Sequence, residues 1–151
     1  MSFPLPPPMR RALDLAAEAA RAGEVPVGAV VTRGAKVVAE ARNAMRGSLD
    51  PTAHAEIVAI RRAAEALGQP RLDGCTLWVT LEPCAMCAGA IALARLEALR
   101  FAAEDPKGGG VVHGPRLFGQ PTCHHQPNVL GGLGEEEAAE QLRAFFAERR
   151  A

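Results

Sequence analysis

LEPCAMC, residues 81–87, sets Cys84 and Cys87 one helical turn apart behind Pro83. A Cys-x-x-Cys pair serves as a redox dithiol, as half of a zinc finger, or as half of a catalytic zinc centre. The three uses need different partners, so the rest of the chain has to decide between them. A four-cysteine zinc ribbon needs a second Cys-x-x-Cys, and Cys75 and Cys123 each stand alone. A redox pair sits where a strand leads into a helix. CTLWVTL (75–81) reads as a strand and 84–95 as a helix, so this context leaves the redox use open.

Composition narrows the partners. With 151 residues the chain suits one domain with a sizeable core. Lys+Arg and Asp+Glu number 17 each, so any attraction to nucleic acid must come from a local basic patch. There is no Tyr and a single Trp, Trp78, which argues against a stacking platform built on many aromatics. MSFPLPPPM has neither the basic start nor the apolar run of a signal peptide, and no stretch reaches the ~18 apolar residues of a membrane span. The prolines make 1–8 a short flexible arm and leave 9–151 as one domain. Without a secretion signal, the cysteines read as thiols or metal ligands of a cytoplasmic protein.

Along the chain, 9–22 carries apolar residues at helical spacing. VPVGAVVT and KVVAEA, joined by RGAK, read as a hairpin over 27–41, followed by a loop over 43–49. Asp50 and Pro51 read as the N-cap and first residue of a helix running to Leu67. After the strand and helix around Pro83 comes a strand over 97–103. A long Gly- and Pro-rich loop follows over 104–134, then a helix from EEE (135–137) to ERR (148–150). The order α-β-β-α-β-α-β-loop-α argues for a sheet covered by helices on both faces.

The missing metal ligand is sought among His54, His113, His124 and His125. His54, in TAHAEI (52–57), falls in the first turn of a predicted helix, as Cys84 does. Two helix N-termini at one sheet edge would bring His54, Cys84 and Cys87 to a single ion, and their positive ends favour thiolates. One imidazole and two thiolates suit Zn²⁺, and three protein ligands leave a fourth position for water, as in catalytic sites. Glu56, two residues beyond His54, points to a different side of the helix and is placed to move protons beside the metal. Cys123, His124 and His125 also cluster and tempt a second metal site, but in a Gly- and Pro-rich loop such residues read as structural.

His-x-Glu, about thirty residues, then Pro-Cys-x-x-Cys is the signature of zinc deaminases. Further segments extend the likeness: EVPVGAVV (24–31), Asn43, DPTAHAEI (50–57), LWVTLEPCAMCAGAI (77–91), DPKGG (105–109) and RAFFAERR (143–150). Together they resemble the bacterial tRNA-specific adenosine deaminases over nearly all of the chain after residue 8. The resemblance implies a three-layer α/β/α fold on a five-stranded mixed sheet, a homodimer, one Zn²⁺ per chain, and conversion of the wobble adenosine of a tRNA anticodon loop to inosine. It implies zinc on His54, Cys84 and Cys87, and proton transfer by Glu56. It also implies purine contacts from Asn43 and the Ala55 N–H, and RNA contacts from Asp105, Lys107, Phe146, Arg149 and Arg150.

The chain departs from that family after Lys107, where it reads GGGVVHG, and again at PTCHHQP (121–127). Both stretches concern substrate contacts and leave the metal chemistry unchanged. The alternative is therefore a deaminase of free guanine or cytosine on the same scaffold. A partner subunit with a purely structural zinc is a further alternative, and Glu56 argues against it, because a structural site has no use for that acid.

Overall fold

The computed structural model describes residues 4–150, except the side chain of Arg150. Its elements are α1 (Pro7–Arg21), β1 (Gly28–Arg33), β2 (Lys36–Arg42), α2 (Met45–Ser48), α3 (Ala55–Leu67), β3 (Cys75–Leu81), α4 (Ala85–Leu93), β4 (Ala98–Ala103), β5 (Asn128–Leu130) and α5 (Glu135–Arg150). A single 3₁₀ turn covers Leu117–Gly119. The strands form one five-stranded sheet in the order β2-β1-β3-β4-β5. β1 pairs antiparallel with β2 and β3, while β3 with β4 and β4 with β5 run parallel. The sheet is therefore mixed, and β3 is the strand where its two halves meet.

Successive residues of a strand face opposite sides, and here both sides are covered. Ala29 and Val31 of β1, with Leu77 and Val79 of β3, pack against Ala55, Ala59 and Ala63 of α3 and Ala88 and Ile91 of α4. Val30 and Trp78 face the other way, toward Met9, Ala12 and Leu13 of α1 and Ala138 of α5. Each fully buried Leu or Phe in these layers contributes about 1.5–3 kcal/mol relative to exposure. The Trp78 indole N–H donates to Thr32 Oγ1 at 2.9 Å, which satisfies its polar atom inside the layer.

Four expectations change. Pro7 and Pro8 belong to α1, with Pro at its first positions, where no backbone donor is needed, so the arm is shorter than 1–8. The presumed loop 43–49 contains the one-turn α2, because Glu24 Oε1 and Oε2 accept the Arg46 and Gly47 N–H groups at 3.1 and 2.8 Å. The helix expected from Asp50 begins at Ala55 instead. Asp50 Oδ1 takes the Thr52 N–H and hydroxyl at 2.9 and 2.7 Å, closing a local turn in place of a helix cap. The loop 104–134 supplies the fifth strand, three exposed residues paired with β4.

Candidate active site

α3 and α4 both start at the end of the sheet where β3 stops. The N-cap of α3 is His54 (φ −68, ψ 152) and that of α4 is Cys84 (φ −72, ψ 176), and neither side chain caps its own helix. Ser, Thr, Asp and Asn ordinarily occupy such positions, since their side-chain oxygens accept orphan N–H groups. Here the side chains turn toward each other. His54 Nδ1 lies 3.7 Å from Cys84 Sγ and 3.5 Å from Cys87 Sγ. All three donor atoms fall within 4.8 Å of one another.

The trio fits zinc. A tetrahedral ion with Zn–S of ~2.3 Å and Zn–N of ~2.05 Å separates its nitrogen and sulfur ligands by ~3.6 Å. The two measured N···S distances fall on either side of that value. Hydrogen bonds from Cys87 and from His54 hold the Cys84 thiol down to about 4, against burial. The same contact with Cys84, and burial, push Cys87 up. The pair thus holds one thiolate and one thiol, and a dication between them would hold both as thiolates. The hydrogen bond to Cys84 raises His54.

Glu56 lies in the first turn of α3 and is 4% exposed. Burial pushes its carboxyl up to about 7, opposed by its own backbone N–H and by the His54 charge. It also hydrogen-bonds the Cys87 thiol. A buried carboxyl poised near neutrality beside a trio that could hold a metal is equipped to accept and return a proton.

Asn43 and Ala55 meet each other. The Ala55 N–H, the first orphan donor of α3, gives its hydrogen bond to Asn43 Oδ1 at 2.8 Å. Asn43 therefore does for this helix what the His54 side chain does not. The Ala55 N–H, expected to contact a purine, is engaged within the protein.

The sequence reading passed over Glu82. It is 2% exposed, immediately before Pro83. Its Oε1 accepts the Asp105 N–H at 3.0 Å and meets His113 Nδ1 at 2.8 Å. Its Oε2 accepts the N–H groups of Val111, Val112 and His113 at 3.1, 3.0 and 3.1 Å. One carboxylate thus gathers the loop after β4 onto the Cys84–Cys87 turn. The glycines of GGGVVHG allow the approach: a Cβ on Gly110 would stand 2.6 Å from the Ala85 nitrogen, and one on Gly109 would overlap the Glu82 carboxylate. Glu104 joins Glu82 and His113 in a second cluster of donor atoms, but the Glu82 oxygens are already taken by the loop. A lone acid closing an apolar strand was the available signal. Its partners come from 23 to 31 residues later, where no periodicity points back to it.

Asp105 Oδ1 accepts the Lys107 and Gly108 N–H groups at 3.2 and 3.0 Å, so its side chain shapes the turn that presents Lys107. Asp105, Lys107 and Phe146 line one cleft of about 460 Å³ with Val25, Leu81 and Leu142. Of the adjacent phenylalanines, Phe145 is buried and Phe146 is 44% exposed. The Arg149 guanidinium lies 3.7 Å from the centre of the Phe145 ring. Arg150 closes α5, and its side chain lies outside the described residues. Among the described residues, Cys123, His124 and His125 gather no group of metal donors. They line an apolar hollow of about 310 Å³ beside Leu93 and Arg95, with His125 Nε2 on the Leu96 carbonyl at 2.6 Å.

Known proteins share this chain's sequence and fold. The family model of the MafB19-like deaminases matches residues 7–131. A protein of Agrobacterium fabrum named tRNA-specific adenosine deaminase is 55% identical over 94% of this chain and 93% of its own length. One of Bacillus subtilis with the same name is 44% identical over 94% of this chain and 88% of its own. A solved structure from studies of A-to-I editing by tRNA:A34 deaminases at the wobble position is 54% identical. It superposes with a TM-score of 0.88 over 89% of this chain and 98% of that one. A guanine deaminase structure from Bacillus subtilis is 36% identical, with a TM-score of 0.65 over 95% of this chain and 92% of that one. The chain belongs to the MafB19-like deaminases and, among them, to the family of the tRNA-specific adenosine deaminases.

Proposed function

We propose that this protein hydrolyses the exocyclic C–N bond of the wobble adenosine in a tRNA anticodon loop, forming inosine and ammonia. The observation that carries the reading is the pairing of a zinc-fitting His54–Cys84–Cys87 trio with a buried Glu56 whose carboxyl is pushed up to about 7. Zinc held there would supply Lewis acidity that brings the pKa of water from ~15.7 toward ~7. Glu56 takes one proton of the attacking water and passes it to ring N1 of the purine as the C6–O bond forms. It then takes the second proton, from the new C6 hydroxyl, and delivers it to the amino group, so the C6–N bond breaks and ammonia leaves. Because Asn43 Oδ1 already accepts the Ala55 N–H, Asn43 offers its Nδ2 as the donor to a bound base. A base in a single-stranded loop is unstacked at lower cost than one in a duplex.

The substrate follows from the names of the relatives and from the Asp105–Lys107–Phe146 cleft. The guanine deaminase likeness keeps a free purine as the second reading. One experiment separates them: inosine formed in tRNA against ammonia released from guanine, with the same preparation. Inosine at the wobble position supports the proposal. Brisk release from guanine, with untouched tRNA, replaces it.

Two α4 features support a homodimer. The helix is apolar on all sides, which suits a buried helix, yet Leu93 is 83% and Met86 39% exposed. A second copy covering that face would remove both from water. A cytoplasmic setting agrees with four cysteines that form no disulfide, and no helix among the described residues is long and apolar enough to cross a membrane.

A further inference from the structure

Three arginines from three different elements meet around Gly23. Arg46 in α2 donates to the Gly23 carbonyl at 3.3 Å. A Cβ on Gly23 would stand 3.7 Å from an Nη of Arg149. Arg21, at the end of α1, lines with Arg149, Ala20, Gly23 and Glu148 an open cleft of about 420 Å³. All three arginines are exposed. They differ from four other arginines of the chain. Arg10, Arg11, Arg61 and Arg143 each face a carboxylate at 2.5–3.9 Å. Among the described residues, none of Arg21, Arg46 and Arg149 has an acid within ion-pair distance. Glu148 is the acid on the cleft's rim.

We infer that Arg21, Arg46 and Arg149 form a phosphate-binding subsite for the RNA backbone next to the reacting nucleotide, an inference that rests on the tRNA reading above. Two of the guanidiniums are held in advance. Arg46 spends one of its five N–H donors on Gly23, and the Arg149 guanidinium sits over the Phe145 ring, 3.7 Å from its centre. The remaining donors suit the planar, paired recognition of a phosphate. Position fits as well. Arg46 follows Asn43 by three residues, so its Cα lies within about 11 Å of Asn43, which is tied to the first N–H of α3, the helix that begins just after His54. On the other flank, Phe146 and Arg149 are neighbours at i and i+3 on α5, and Phe146 shares a cleft with Lys107. Lys107, Arg149, Arg46 and Arg21 thus continue one basic track past the cleft mouth. A chain of zero net charge needs such a local track to hold a polyanion.

The test measures binding of a labelled anticodon stem-loop across roughly 50–200 mM salt, for the wild type and for Arg21→Gln, Arg46→Gln and the double variant. Arg71→Gln removes the same charge at the opposite end of β3 and serves as the control. Each single variant should flatten the log–log salt slope by about 0.7–0.9, and the double variant by about 1.4–1.8, with weaker binding at the low-salt end. Zinc content and melting temperature should stay at wild-type values in every variant. Because the single variants are read separately, a folding defect in one leaves the other informative. A double variant with unchanged slope and Kd overturns the subsite, as does an Arg71→Gln variant that flattens the slope equally. In either case stem-loop editing by the wild type leaves the tRNA reading standing. A wild type that neither binds nor edits stem-loops overturns both.

Discussion

Glu56 and Glu82 both adjoin the Cys84–Cys87 turn and are nearly equally buried, 4% and 2% exposed, yet their carboxyls are held in opposite states. Burial pushes Glu56 up to about 7, and few donors oppose it. Burial works to raise Glu82 as well, but hydrogen bonds from the Asp105 N–H, His113 and the Val112 and Val111 N–H groups outweigh it and hold Glu82 below the usual carboxylate value. Low solvent exposure alone therefore does not set the character of a buried acid. The weight of protein around it and its supply of hydrogen-bond donors do. The acid short of donors can exchange a proton during a reaction. The acid surrounded by them stays ionised and ties two segments together.

The largest effect comes from removing what surrounds Glu56. Cys87→Ala deletes a proposed metal donor and the thiol beside the Glu56 carboxyl. Metal analysis should find zinc lost or strongly depleted, turnover should go with it, and the melting temperature should fall, because metal binding contributes folding free energy. Full zinc in this variant would break the ligand assignment.

Next comes Glu82→Gln. Each Glu82 oxygen faces at least one backbone N–H, so whichever way the new amide turns, its NH₂ meets a donor. Leaving buried donors unpaired costs about 1–3 kcal/mol each. At about 2–4 °C per kcal/mol, a loss of about 3 kcal/mol lowers the melting temperature by about 6–12 °C. Zinc should remain, and kcat should fall far less than in a Glu56 variant. An unchanged melting curve would show that the loop does not depend on this carboxylate.

The smallest effect is in pH dependence, and its sign separates the two acids. A folded value of about 7 for Glu56, against an unfolded 4.5, means the native state keeps a proton that the unfolded state releases. Its contribution to stability is lost as pH rises from 4.5 toward 7. Glu82 is depressed instead, so its contribution is present above 4.5 and lost as pH falls. In chelated, metal-free protein, the wild type compared with Glu56→Gln should lose relative stability on raising the pH. Compared with Glu82→Gln it should lose relative stability on lowering it. Denaturant melts across pH 4–8 would show both, and slopes of the same sign would erase the distinction.

The same contrast explains what could be read from the sequence. His54, Glu56, Cys84 and Cys87 were legible because metal ligands are few in kind and their local spacing is written in the chain. The four longer strands and the flanking helices followed from apolar runs and periodicity. Glu82 was not legible, since its donors arrive from a loop whose path depends on the folded sheet. β5 has three exposed residues and no apolar pattern, and only its pairing with β4 makes it a strand. Asp50–Pro51 imitated a helix start because the same residue types open turns, and the Asp50–Thr52 hydrogen bonds decided for the turn.

The central claim is that Glu56 moves protons beside a zinc it does not hold. The direct measurement is zinc content and wobble inosine formation on the same samples of wild type and Glu56→Gln. The account predicts one zinc per chain in both, and a rate lower by ~10²–10⁴-fold in the variant. A Glu56→Gln protein that edits tRNA at the wild-type rate, or that loses its zinc, would contradict it.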